Sequence, residues 1–140
     1  PGYLGELLDL RDKLGLQDSA HFLYAYGESD EPLIPDSDTM ANLFHMADAL
    51  LFPSLQEGFG IPVLEAGFAG LPVFCSDIPP FRKTAGEDAV YFHPADDSPE
   101  TIAARIQSTL DNSPVYRLRV RARQLYRWDN LIQRTIVPLL

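Results

Sequence analysis

The chain has very little cysteine and few basic residues. Its 140 residues contain one cysteine, Cys75, which excludes an internal disulfide framework and favours a reducing compartment. Cys75 lies in the apolar run 71–75, so we interpret it as a small buried residue rather than a nucleophile. The chain has 11 lysines and arginines and 20 acidic residues, which gives a formal charge of -9. Nucleic acids are bound by clustered basic side chains, so this balance argues against a nucleic-acid surface.

Long apolar runs are absent as well, although 46% of the residues are hydrophobic. No run approaches the roughly 18 residues of a membrane-spanning helix, and no basic segment followed by an apolar stretch opens the chain. The sequence begins at Pro1 without a methionine and enters a helical pattern at once. We therefore expect a single domain, residues 1–140, that has been excised from a longer protein.

Apolar residues alternate between helical and strand spacing along the chain. Gly15 and Gly70 are placed to end helices, Ser37 or Asp38 to begin one, and Pro62 to occupy a first helical turn. Loops are predicted at residues 28–38, which are acidic, and around Pro79 and Pro80. The predicted helices are 3–14, 38–46, 61–70, a helical region that Ser98 and Pro99 open, and 129–137; the predicted strands are 21–26, 49–52, 71–75 and 89–92.

This alternation predicts an α/β fold with a parallel sheet that helices cover on both faces. In such sheets, ligands bind at the carboxyl ends of strands, where loops lead into the amino termini of helices. The loop of residues 53–60 joins an apolar strand to the helix that opens at Ile61, and it is the candidate site.

Two glycines, Gly58 and Gly60, flank Phe59 in this loop. Glycine permits positive φ and a close approach of ligand to main chain. The free amides of the first turn of the following helix, together with its dipole, favour a phosphate or a sugar oxygen as the ligand.

Two carboxylates accompany the loop, Glu57 before the glycines and Glu65 in the second turn of the helix. Carboxylates only accept hydrogen bonds, so they suit hydroxyl donors better than phosphate. The apolar neighbours of Glu65 predict a largely buried stretch, in which an unpaired carboxylate would require a ligand or donors. A nucleotide sugar, with a diphosphate between two sugars, satisfies all of these features.

Residues 47–97 resemble the retaining glycosyltransferases of GT-B architecture, the glycosyltransferase group 1 family. The resemblance lies in the segments ADALLFPS, EGFGIPVLEA, GLPVFCSD and YFHPADD. It implies that the chain is the Rossmann-like, C-terminal donor-binding half of a two-domain hexosyltransferase. Such an enzyme transfers a sugar from a UDP or GDP sugar with retention of configuration, without a bound metal or other cofactor. It works in the cytoplasm, and peripheral association with the inner face of the membrane stays open.

The resemblance also implies residue roles. Glu57 would contact hydroxyls of the donor sugar near the reacting centre, as the catalytic residue. Glu65 would bind the ribose hydroxyls of the nucleotide. The sugar and diphosphate would lie against the backbone amides of Gly58, Phe59, Gly60 and Ile61. The developing charge on the departing diphosphate would be stabilised there.

The sequence departs from the family pattern in three places. The basic Arg and Lys pair that neutralises the diphosphate in the family would precede Pro1, so we expect this fragment to be inactive alone. A long acidic insertion, YAYGESDEPLIPDSD, puts contacts to the nucleotide base in doubt. Arg82 and Lys83 stand where relatives commonly carry a glutamate; a solvated pair is favoured over a phosphate contact.

Other charged groups are interpreted as structural. The spacing of His21, His45 and His93 does not suggest a metal site. The basic run 117–127 is read as a packed helix with a solvated face, although contact with anionic lipid or with the missing amino-terminal acceptor domain stays open. Two other functions also stay open: a non-catalytic sugar-nucleotide-binding module, and a GT-B enzyme of other chemistry, such as an epimerase or a phosphorylase.

Overall fold

The computed structural model describes residues 2–27 and 31–126. The chain divides into two compact units, Pro1–Met40 and Ala41–Leu140. The predicted helix 129–137 lies outside the described residues. The elements in chain order are α1 (Tyr3–Lys13), a 3₁₀ helix (Leu23–Tyr26), α2 (Ser37–Met46), β1 (Leu50–Phe52), α3 (Ile61–Phe68), β2 (Val73–Ser76), α4 (Pro79–Ala85), β3 (Val90–Phe92), α5 (Pro99–Asn112) and α6 (Pro114–Leu125).

Helix α1 ends as the sequence predicts, at Gly15. This glycine adopts φ +67°. Its N–H donates to Asp12 O at 3.1 Å, and the N–H of Leu16 donates to Arg11 O at 3.0 Å. These two bonds form a Schellman motif, which satisfies carbonyls that the end of the helix would otherwise leave unpaired.

The strand predicted for residues 21–26 is wrong. Leu23–Tyr26 is a 3₁₀ helix, in which the N–H of Ala25 donates to Phe22 O at 2.9 Å. The ring of His21 is hydrogen-bonded through Nδ1 to the Tyr26 hydroxyl at 2.8 Å. Aromatic residues favour strands only where a neighbouring strand offers pairing and packing. Here the backbone makes local bonds instead.

Helix α2 is capped one residue earlier than predicted. Asp36, rather than Ser37 or Asp38, accepts a hydrogen bond through Oδ1 from the N–H of Thr39 at 2.8 Å. A capping side chain bonds an amide two or three residues ahead, and Asp36 has that separation because α2 begins at Ser37. The bond stabilises the carboxylate and lowers the pKa of Asp36.

The sheet has three parallel strands in the order β1-β2-β3, which confirms the predicted α/β class. Phe52 aligns with Cys75, and Cys75 aligns with Tyr91. The carboxyl ends of the three strands therefore lie along one edge of the sheet.

Helices cover both faces of the sheet, which makes the fold Rossmann-like. On one face Val73 and Cys75 pack in a core cluster with Val63, Ala66 and Phe81 from α3 and α4. Burial raises the pKa of the Cys75 thiol to about 11, which fits its interpretation as a small core residue.

The other face of the sheet is covered by α5. Ile102 and Ile106 of that helix line a cavity of about 290 Å³ together with Leu51 and Phe92. Ser98 caps α5 by accepting from the N–H of Thr101, as predicted.

The loop predicted around Pro79 and Pro80 is instead the start of α4. Both prolines lie in the first turn, where a missing N–H costs nothing. The side chain of Phe81 is fully buried and fixes the helix against the sheet.

The basic run forms helix α6 as far as Leu125, but none of the helix's residues is buried, so the packing expected through its apolar residues is not seen and arginines hold the helix instead. Arg119 Nη1 donates to Ala47 O at 2.6 Å, and Arg123 Nη1 donates to Asp48 Oδ2 at 2.6 Å. Arg123 also donates to Met46 O at 3.1 Å, so the two arginines satisfy carbonyls at the end of α2. The longest helix, α5, has 14 residues. No helix within residues 2–27 and 31–126 is long and apolar enough to cross a membrane.

Candidate functional site

The loop of residues 53–60 lies at the carboxyl edge of the sheet, as predicted. It leaves β1 after Phe52 and enters α3 at Ile61. The carboxyl ends of β2 and β3 continue into Asp77 and His93 at the same edge. This is the edge at which ligands bind in open parallel sheets.

The two glycines of the loop differ in conformation. Gly60 adopts φ +83°, and a Cβ added there would lie 2.8 Å from the ring of Phe81. Glycine is the residue that adopts this positive φ without strain and also has no Cβ to clash with the ring. Gly58 is outside the left-handed region, and nothing lies within 4 Å of a Cβ added to it. The expectation of positive φ is therefore right for Gly60 and wrong for Gly58.

Four consecutive backbone N–H groups, those of residues 58–61, make no hydrogen bond to any described residue. The next residue, Pro62, has no N–H, and the N–H of Val63 donates to Gly60 O at 3.0 Å. No side chain caps α3, because its N-cap residue is Gly60. Unpaired amides and the positive end of the helix dipole together favour an oxygen ligand that carries negative charge.

Two hydroxyls fix carbonyls of this loop. Ser54 Oγ donates to Gln56 O at 3.0 Å, and Thr84 Oγ1, from α4, donates to Phe59 O at 2.8 Å. Thr84 was not among the residues singled out from the sequence. No local signal identifies it, because 25 residues separate it from Phe59.

The two carboxylates flank the row of amides along the sequence. Glu57 is partly buried in the loop and Glu65 is exposed on α3. Neither carboxylate makes a hydrogen bond or an ion pair with another described residue. Both carboxylates are therefore available to hydroxyl donors from a ligand.

The buried stretch predicted around Glu65 is wrong in part. Val63 and Ala66 are buried against the sheet, but Leu64 is 37% exposed and Phe68 90% exposed. A helix covering one side of a sheet buries residues at a spacing of three or four and leaves the others outside. The availability of Glu65 therefore rests on its exposure, and not on an unpaired charge in the core.

The flanking apolar side chains are also exposed. Phe59 is 54% exposed and Ile61 is 61% exposed, although Gly60 between them is buried. Their side chains contribute little to the core. The backbone rather than the side chains of these residues carries the predicted role.

Arg82 forms an ion pair that the sequence did not predict. Its Nε donates to Asp77 Oδ1 at 2.8 Å and its Nη2 donates to Asp77 Oδ2 at 2.7 Å. Its guanidinium also lies 3.8 Å from the centre of the Tyr91 ring. This pairing lowers the pKa of Asp77 and raises the pKa of Arg82. Arg82 and Lys83 are both exposed, as expected of a solvated pair, but Arg82 is also paired with Asp77.

The three histidines have different surroundings. His21 contacts Tyr26, and His45 is exposed at the end of α2. His93 Nε2 lies 3.8 Å from Asp77 Oδ2. Within the described part of the chain, no group of three or more His, Cys, Asp or Glu side chains is placed to hold a metal ion.

Comparisons with known proteins identify relatives along most of the chain. A family model described as "Glycosyl transferases group 1" matches residues 5–125. O-antigen chain mannosyltransferase B of Escherichia coli is 35% identical over 109 residues, which are 74% of this chain and 27% of that protein. O-antigen chain mannosyltransferase RfbU of Salmonella typhimurium is 46% identical over 55 residues, or 39% of this chain and 16% of that protein.

A glycogen synthase of Mycobacterium tuberculosis is 35% identical over 89 residues, which are 62% of this chain and 21% of that protein. The chain therefore spans about a quarter or less of these three relatives. No solved structure matches. The family match covers the whole segment that carries the sheet and the candidate loop, and it shows that the chain belongs to the glycosyl transferases group 1 family.

Proposed function

We propose that this chain is the donor-binding domain of a retaining glycosyltransferase that uses a nucleoside-diphosphate sugar. The observation that carries the proposal is the row of unpaired amides at residues 58–61, between the available carboxylates of Glu57 and Glu65. Amides and a helix dipole bind phosphate oxygens, and carboxylates accept from hydroxyls. A nucleotide sugar is the ligand class that presents both.

Each group would have a separate task. The amides of Gly58, Phe59, Gly60 and Ile61 contact the sugar and the diphosphate, and they stabilise the charge that develops on the leaving group. Glu65 accepts hydrogen bonds from the ribose hydroxyls. Glu57 accepts from hydroxyls of the transferred sugar near the reacting centre.

The complete enzyme would be a hexosyltransferase of GT-B architecture. This domain would form its C-terminal half, and an amino-terminal domain would bind the acceptor and supply the basic pair for the diphosphate. Two of the relatives are named mannosyltransferases, which makes mannose the first sugar to test. A metal-free reaction, a cytoplasmic location and peripheral membrane contact remain predictions.

The test uses the complete enzyme with Glu65→Ala and Glu57→Ala. We expect Glu65→Ala to raise KM for the donor roughly 10- to 150-fold, because hydrogen bonds to a charged acceptor contribute roughly 1.5–3 kcal/mol. We expect Glu57→Ala to reduce kcat mainly. Glu6→Ala, which removes an exposed glutamate of α1, is the control and should leave both constants unchanged.

Normal rates in both site variants would contradict the proposal. Product analysis separates the remaining chemistries. A glycoside supports transfer to an acceptor, a sugar phosphate would indicate a phosphorylase, and an altered free sugar would indicate an epimerase. Donor binding without any product would leave a non-catalytic binding module.

A further inference from the structure

Helix α4 contacts the site loop at two adjacent residues. Thr84 Oγ1 donates to Phe59 O at 2.8 Å. The ring of Phe81 lies so close to Gly60 that an added Cβ would be 2.8 Å from two of its carbons. One short helix therefore holds the carbonyl of one residue and the Cα of the next.

These contacts fix the direction of the Gly60 N–H group. A trans peptide is planar, and its C=O and N–H bonds point in opposite directions. Because Phe59 O points to Thr84, the N–H of Gly60 points away from α4. The Gly60 N–H has no acceptor among residues 2–27 and 31–126. An amide at the start of a helix that no side chain caps takes its acceptor from a ligand or from water.

Helix α4 is itself held by side-chain hydrogen bonds, so Thr84 is a well-fixed donor. From the middle of the helix, Arg82 makes two hydrogen bonds of 2.8 and 2.7 Å to the carboxylate of Asp77. The hydroxyl of Tyr91 donates to Phe81 O within the helix at 3.2 Å and to Gly86 O just after it at 2.8 Å. A bidentate pair fixes both the position and the rotation of the groups it joins.

We propose that Thr84 is a positioning residue that, by holding the Phe59 carbonyl, directs the Gly60 N–H toward an oxygen of the nucleotide-sugar donor. The inference rests on the proposed function. Thr84 touches neither donor nor acceptor and acts only through the peptide that joins Phe59 to Gly60. A preorganised amide binds an oxygen ligand without the cost of reorienting the loop.

The test compares Thr84→Val, which keeps the shape but removes the hydroxyl, with Thr84→Ser, which restores a hydroxyl. Thr109→Val is a matched control, because Thr109 Oγ1 also donates to a carbonyl at 2.8 Å, that of Arg105 within α5. Each variant of the 140-residue chain is labelled with ¹⁵N. Amide shifts are recorded without ligand and in titrations with UDP, GDP, ADP and their sugar conjugates.

Without ligand, Thr84→Val should shift the Gly60 amide, while Thr84→Ser and Thr109→Val leave it near its original position. With the nucleotide that binds the unaltered chain best, Thr84→Val should bind about three- to tenfold more weakly, as expected for one lost hydrogen bond. Thr84→Ser should recover most of that affinity.

Two results would overturn the inference in distinguishable ways. An unchanged Gly60 amide and an unchanged affinity in Thr84→Val, with Glu65→Ala impaired, would refute the role of Thr84 and leave the proposed function standing. Failure of every nucleotide to shift residues 58–61 of the unaltered chain would refute donor binding by this chain, and with it the role of Thr84.

Discussion

Two strand-to-helix connections at the same edge of the sheet differ in how many of their backbone amides are paired. The connection from β3 to α5 pairs several of its own amides, although those of Ala95 and Ser98 make no hydrogen bond to a described residue. Asp97 Oδ2 accepts from the N–H of His93 at 2.9 Å, and the N–H of Asp97 donates to His93 O at 2.8 Å. Ser98 then caps α5 by accepting from the N–H of Thr101 at 3.3 Å.

The connection from β1 to α3 has no such closure. Its amides at residues 58–61 have no acceptor among the described residues, and the cap of α3 is Gly60, which has no side chain. Its carbonyls, by contrast, are held by Ser54 and Thr84. Hydrogen bonds therefore hold carbonyls of this loop, whereas its N–H groups at residues 58–61 stay unpaired among the described residues.

The β3–α5 connection thus has a side-chain cap, whereas the β1–α3 loop has four consecutive amides without an acceptor among the described residues. Both helices carry proline in the first turn, so their starts are similar in sequence. Side chains, water or ligands satisfy the free amides at the start of a helix. For α5 this partner is Ser98; for α3 we assign it to the donor.

The largest effect is expected from Gly60→Ala. A left-handed φ and a Cβ 2.8 Å from the Phe81 ring should together lower the free energy of unfolding by about 2–4 kcal/mol. Gly58→Ala is the control, because its Cβ would meet nothing within 4 Å. Urea denaturation of both variants measures the difference. Equal stabilities would show that α4 does not constrain Gly60.

A smaller effect on stability is expected from Ser98→Ala in the connection from β3 to α5. Loss of a cap costs roughly 1 kcal/mol. The variant should unfold at a lower urea concentration but bind nucleotide as the unaltered chain does. A loss of nucleotide affinity with unchanged stability would indicate that the nucleotide binds at the connection from β3 to α5, and would contradict its placement at residues 58–61.

Much of this site could be predicted from the sequence, because its parts are local. Strand β1, the loop that contains Gly58 and Gly60, and the start of α3 are consecutive in the sequence. The burial around Glu65 was not predictable in the same way, because it depends on which face of α3 meets the sheet.

Contacts between residues that are far apart in the sequence could not be predicted from local sequence patterns. Thr84 reaches Phe59 across 25 residues, and Arg123 reaches Asp48 across 75. The aromatic segment before Gly27 was predicted as a strand because its composition favours pairing, but pairing requires a partner elsewhere in the chain. The start of α4 was overlooked although prolines at the beginning of a helix are a known signal.

The smallest effect is expected at the third connection, from β2 to α4, which the Asp77–Arg82 pair closes. Arg82 lowers the pKa of Asp77 in the folded state. The stabilisation is therefore fully present above the unfolded-state pKa of Asp77 and is lost as the pH falls through the folded-state value. Arg82→Gln should flatten this acid dependence in urea denaturation below about pH 5. An unchanged dependence would mean that the pair contributes nothing measurable.

The most direct test of the central claim is an amide-shift titration of the unaltered chain with UDP, GDP, ADP and their sugar conjugates at millimolar concentrations. It reports on both connections in one spectrum. We predict shifts at Gly58, Phe59, Gly60, Ile61 and Glu65 with one nucleotide, and unchanged amides at His93 and at residues 95–98. Equal shifts at both connections, or no shift at residues 58–61 with any nucleotide, would contradict the assignment of this loop as the donor site.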